Sequence, residues 1–156
     1  MQGDGAHQIA AMSHVNLIFS LFCKTCSPKP FRRGIGLRVL ALASQKGGSG
    51  KTTLSGHLAV QAQLAGAGPV VLIDIDPQGS LADWWNERDP EFPAFAQTTV
   101  ARLATDLAIL RQQGFKLAVI DTPPAITMAI QSVISVAELI VVPTRPSPHD
   151  LRAVGA

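Results

Sequence analysis

Lys46-Gly-Gly-Ser-Gly-Lys-Thr-Thr53 decides how the chain is read. Its glycines, Gly47, Gly48 and Gly50, can take positive φ and let backbone N–H groups approach an anion closely. The apolar run Leu37–Ala43 precedes it, as expected of a strand buried on both faces. After it, Leu54, Leu58, Ala62 and Ala65 recur at helical spacing over Lys51–Ala65, before Gly66 and Gly68. A helix N-terminus at that point adds aligned donors and about half a positive charge. Lys51 is placed to reach terminal phosphates, and the Thr52 hydroxyl to ligate Mg²⁺. The usual phosphate-loop pattern, G-x-x-x-x-G-K-[ST], fails at its first glycine, where this chain has Gln45, and a second lysine, Lys46, stands inside the loop. The bland alternative is a flexible turn without a ligand, and Gly-Lys-Thr between a buried strand and a helix is a demanding context for that.

Outward from the loop the pattern repeats. Val70-Val-Leu-Ile-Asp74 predicts a second strand, Leu81–Arg88 a short helix, and Val100–Gln113 a longer one closed by Gly114. Phe115–Ile120 predicts a strand ending at Asp121, and Leu139-Ile-Val-Val142 another ending at Pro143. Strands rich in Val, Ile and Leu that alternate with helices imply an α/β fold, a mostly parallel sheet sandwiched by helices. Ligands of open parallel sheets bind beyond the carboxyl ends of the strands. Ser44–Thr53, Asp74–Ser80 and Asp121–Pro124 all begin at such ends.

Two of those ends are acidic. Nucleotide hydrolysis needs a positioned water, a metal and donors for the charge on the transferred phosphoryl group. Of Asp74 and Asp76, one is expected to face a terminal phosphate and the other to hold the loop or the metal's hydration shell. The alternative is that both merely cap the helix near Ser80, with Ser80 itself a candidate N-cap. Asp121, after an apolar strand, can organise Mg²⁺ directly or through water, and Pro123 and Pro124 stiffen the turn behind it. Arg145, in the proline-dense Pro143–Pro148 loop, is a candidate phosphate or interface contact, with a solvated arginine as the alternative. Trp84 and Trp85 are expected to be packing residues.

Lys46-Gly-Gly-Ser-Gly-Lys-Thr-Thr53 resembles the deviant Walker A motif of the ParA/MinD family of P-loop ATPases. The resemblance continues through Asp74-Ile-Asp-Pro-Gln-Gly-Ser80, Asp121-Thr-Pro-Pro124 and Val142-Pro-Thr-Arg-Pro-Ser-Pro-His-Asp-Leu151. It covers roughly residues 37–156, and Asp-Pro-Gln-Gly favours the ParA type over MinD. The resemblance implies an ATP hydrolase that binds Mg²⁺ and ATP through Lys46, Gly47, Gly48, Ser49, Gly50, Lys51, Thr52 and Thr53. It implies that Lys46 reaches across an ATP-sandwiched homodimer, that Asp76 positions water, and that Asp121 with Thr52 holds the metal. It further implies plasmid or chromosome partition in the cytoplasm, a ParB-like partner that stimulates hydrolysis, and non-specific DNA as a surface.

The remainder bounds these expectations. The chain has 156 residues, 47 % of them apolar and 15 % charged, too apolar for intrinsic disorder. Residues 1–38 carry five basic groups and one acid, whereas the rest balances at −2, so no broad basic surface supports DNA binding. Residues 1–36 are expected to be an atypical flexible leader, with the domain over 37–156. Cys23 and Cys26 have metal-site spacing but lack further cysteines, and the spacing of His7 and His14 fits no common zinc finger. No run approaches the roughly 20 apolar residues of a membrane span. Family members normally run longer, so a C-terminal truncation is expected, with a final helix starting near His149. The rivals are a truncated, catalytically silent nucleotide-binding or interaction module and a MinD-like positioning ATPase, for which no amphipathic C-terminal helix is visible.

Overall fold

The apolar runs fold as strands. In the computed structural model, residues 36–124 and 128–148 are described, and nine elements form there: β1 (Arg38–Leu42), α1 (Lys51–Leu64), β2 (Val70–Asp74), α2 (Ser80–Asn86), β3 (Ala94–Gln97), α3 (Leu103–Gln112), β4 (Leu117–Asp121), α4 (Met128–Val136) and β5 (Leu139–Val141). All strand pairs are parallel, in the order β3-β2-β4-β1-β5. Parallel neighbours need a crossover, and the helices supply it.

β4 inserts between β1 and β2, which places Asp121 beside Leu42 on one flank and beside Asp74 on the other. The three expected site segments therefore leave the sheet at adjacent points. Alternation along each strand sorts the side chains into two cores. Leu42, Leu72 and Val119 pack with Ala59 of α1 and Leu81 of α2 on one face. Val39, Ala41, Ile73 and Ile120 pack with Leu103 and Leu107 of α3 and Val133 of α4 on the other. Asp74 and Asp121, two residues beyond Leu72 and Val119, share their parity and belong to the α1 face.

The expected boundaries shift by a few residues. α2 runs from Ser80 to Asn86 rather than Leu81–Arg88, and α3 from Leu103 to Gln112 rather than from Val100, because Thr99 carbonyl bonds make a turn before it. β3 and α4 were not expected. Ser80 is not an N-cap: Gly79, at φ 70°, occupies that position, and no side chain caps it. The leader, Cys23 and Cys26, and the helix expected near His149 lie outside the described residues. Among the described residues no helix is long and apolar enough to cross a membrane.

Candidate functional site

The phosphate loop is shaped by two left-handed glycines, Gly48 at φ 68° and Gly50 at φ 87°, with Gly50 as the N-cap of α1. The Ser44 hydroxyl accepts the Lys46 N–H at 3.4 Å, and the Lys51 ammonium donates to the Lys46 carbonyl, also at 3.4 Å. Lys51 is 6 % exposed. A lysine that buried needs an anionic counterpart. Ser49, within the loop, has a buried hydroxyl that makes no hydrogen bond.

Asp121 lies beneath this loop, 1 % exposed. The Ser55 hydroxyl donates to its Oδ1 at 3.1 Å, and the Thr52 hydroxyl bonds the same carboxylate. Burial raises the Asp121 pKa above the ordinary carboxylate range. The hydroxyls and the Lys51 charge pull it down, while the Asp74 charge pushes it further up. Thr122, next along, donates to the Leu42 carbonyl at 2.7 Å and ties the end of β4 to that of β1.

Asp74 is fully buried. Its Oδ1 accepts the Asp76 N–H at 2.8 Å, so it does hold the loop, as one of its two expected roles required. Burial is also the main cause raising the Asp74 pKa. The Asp76 N–H bond opposes it, the nearby Asp76 charge adds to it, and the amides of Leu81 and Ala82 at the start of α2 oppose it. Its Oδ2 completes no hydrogen bond. Asp76 itself is partly buried and accepts the Gln78 N–H at 3.0 Å.

The structure thus brings Lys51, Thr52 and Asp121 together and adds Ser55 and Asp74 to them. Ser55 was missed, although a hydroxyl three residues after Thr52 on a helix lies on the same face and is a legible signal. Lys46 and Gly47–Gly50 line the loop, and Thr53 is exposed. Asp76 is on the loop after β2, and its side-chain bond stays within that loop. Arg145 is exposed in the segment after β5. The residues present fit Mg²⁺ and a phosphate chain: a buried carboxylate flanked by hydroxyls suits a hard cation, and the buried lysine, the loop amides and the unused Ser49 hydroxyl suit an anion.

A parallel sheet with a phosphate loop on its first crossover and an acidic end on the adjacent strand defines an α/β nucleotide-binding domain. The chain belongs to the CobQ/CobB/MinD/ParA nucleotide-binding domain family, whose model matches residues 40–142. It is 47 % identical over 118 residues to the maintenance of carboxysome distribution protein A of Gloeobacter kilaueensis, covering 73 % of this chain and 52 % of that protein. It is 30 % identical to the chromosome-partitioning ATPase Soj of Thermus thermophilus, covering 76 % and 59 %. The fold matches the ATP complex of McdA from Cyanothece with TM-score 0.59 at 22 % identity, covering 78 % of this chain and 61 % of that one. It also matches pNOB8 ParA bound to nonspecific DNA with TM-score 0.59 at 20 % identity, covering 76 % and 57 %. The chain spans about half the length of the curated relatives it matches.

Proposed function

We propose that this chain is a ParA-type Mg²⁺-ATP switch, in which ATP on the phosphate loop joins two copies and slow hydrolysis separates them. The observation that carries the reading is the buried Asp121 carboxylate with the Thr52 and Ser55 hydroxyls beside a buried Lys51. Desolvating that carboxylate costs folding free energy, and a bound divalent cation offsets the cost. Lys51, the Gly47–Thr53 amides and the Ser49 hydroxyl hold the phosphates. Thr52 and Asp121 hold Mg²⁺, directly or through water, and Ser55 fixes the Asp121 rotamer. The bound metal neutralises phosphate charge and orients the oxygens for displacement. Asp76 orients the attacking water, and Lys46 reaches the phosphates of the second copy.

A ParB-like partner that stimulates hydrolysis and a cytoplasmic location accompany this reading. Nonspecific DNA enters this reading through the likeness to a ParA solved on it, not through the charge of residues 39–156, which balances at −2. The likeness to Soj supports DNA as the cargo. The 47 % identity to a carboxysome distribution protein favours a second cargo, a protein compartment, handled by the same switch.

The test is thermal unfolding of the full chain with Mg²⁺ and rising ATP. At about 100 times Kd, a ligand that binds only the folded state adds roughly 2.7 kcal/mol, on the order of 10 °C here. Lys51→Ala is expected to abolish the shift. A folded wild-type chain that shows no shift leaves the catalytically silent interaction module as the answer.

A further inference from the structure

Asp76 is carried on a loop whose every available amide is tied down. Ile75 donates to the Asp121 carbonyl, Asp76 to Asp74 Oδ1, Gln78 to Asp76 Oδ1 and Gly79 to the Asp76 carbonyl. The downstream end of the loop is α2, whose Leu81 and Ala82 amides face the Asp74 carboxylate, and the packing of its side chains fixes it further along. Leu81 is buried against Leu42, Ala59 and Leu72. Trp85 stacks on Phe95 with ring centroids 5.5 Å apart, and its indole N–H donates to the Pro93 carbonyl at 2.9 Å. Trp84 lies on α1, and the point it meets there is Gly56. A Cβ at Gly56 would stand 2.8 Å from Cη2 and Cζ3 of the Trp84 ring, closer than real Cβ atoms approach, and 3.1 Å from Cε3. The Arg88 guanidinium lies over that ring, 5.1 Å from its centroid, and His57 meets it edge-on at 6.1 Å, so the indole is held by neighbours besides Gly56.

Gly56 follows Ser55 directly, and Ser55 and Thr52 are the α1 residues that grip Asp121. One helix therefore contacts both halves of the site: its Thr52–Ser55 edge touches the end of β4, and its Gly56 notch receives the helix behind the Asp76 loop. We infer that the Trp84-into-Gly56 contact is a positioning element, with Trp84 and Gly56 setting where the Asp76 loop stands relative to the phosphate loop. The inference rests on the proposed function for its effect on turnover. Its effect on the loop itself stands without nucleotide. Neither residue belongs to the Lys46–Thr53 loop, so the contact governs the hydrolytic step more than binding.

The experiment uses the full chain with Gly56→Ala, Trp84→Phe and the double substitution. Alanine is the better helix former, so loss of the fold is not the expected result of Gly56→Ala, and thermal unfolding checks it. Phenylalanine lacks the second ring of the indole, so the double variant refills the space that each single variant leaves mismatched. The first readout is amide hydrogen exchange of residues 75–79 without nucleotide: faster in each single variant, and returned towards wild type in the double. The second is turnover against binding. In the single variants kcat falls on the order of tenfold while Mg-ADP affinity changes by less than about threefold, because small misplacements act on the reacting geometry, and the double variant recovers part of kcat. Unchanged exchange in both single variants overturns the inference, as do effects that simply multiply in the double. A wild-type chain that ignores ATP overturns the proposed function instead, and the exchange comparison still decides this one.

Discussion

At Asp121, folding and ligand binding pull in opposite directions, because the carboxylate is desolvated whether or not a cation is present. The Asp121 and Asp74 pKa values are both raised, chiefly by burial. For a carboxyl whose folded pKa exceeds its unfolded value, the stabilising contribution is fully present below about pH 3.8. It is lost as pH rises through the folded value. Without nucleotide and with chelator present, Asp121→Asn is therefore expected to gain on wild type as pH rises from 4 to 7. By neutral pH its unfolding midpoint stands a few degrees higher, on the order of 1 kcal/mol. Asparagine Oδ1 still accepts the Ser55 hydroxyl, so packing is kept. The same variant loses the Mg²⁺ dependence of nucleotide binding. Thermal unfolding across pH, each run paired with the wild type, checks the first half, and ATP titration with and without Mg²⁺ checks the second. A variant less stable than wild type at every pH would remove the burial argument.

The phosphate loop and α1 form the element on which the site depends, and two of its glycines are separable by experiment. Gly50 has φ 87°, and a Cβ there would meet nothing within 4 Å, so the cost of Gly50→Ala is backbone strain alone. Left-handed backbone costs a non-glycine residue roughly 1–2 kcal/mol, and escape to negative φ turns a loop amide away from the anion. Gly50→Ala is expected to lower stability by about that amount and to weaken Mg-ATP binding on the order of tenfold or more. Gly47, with open space and no positive φ, is the control: Gly47→Ala is expected to stay within about 0.5 kcal/mol of wild-type stability. Thermal unfolding and calorimetric titration of the two variants check both expectations. The loop, its strand and its helix were legible in the sequence because each obeys a local rule: continuous apolar residues, glycine spacing, a 3.6-residue period. β3 was not, since Ala-Phe-Ala-Gln is short, half-exposed and poor in β-branched residues. α4 was not, because Met128–Val136 mixes β-branched residues into a helix that tertiary packing of Val133 holds in place. The seat of Trp84 on Gly56 is a contact between elements, and no local pattern reports it.

Across the whole molecule, strand order was beyond the sequence. Nothing in Leu117–Asp121 says that it pairs on both sides, yet that insertion makes Asp74 and Asp121 neighbours and so builds the candidate site. The same order leaves β5 with one flank paired to β1, and no strand among the described residues covers its other flank. Leu139 is 55 % exposed and Val142 42 %, and Ile134 on α4 is 48 % exposed. Unpaired N–H and C=O groups next to exposed apolar side chains are a template for adding a strand from another chain. The described domain is therefore expected to self-associate through this edge, independently of nucleotide. Leu139→Lys places on the strand the charge that edge strands commonly use against such pairing. Because Leu139 is already more than half in solvent, the folded monomer loses little, within about 1 kcal/mol. Static light scattering over a concentration series, run without ATP, is expected to show the wild-type chain growing in mass while the variant holds the monomer mass. If both chains remain monomeric, the exposed β5 edge is not an association surface. If both associate equally, the contact lies elsewhere on the molecule.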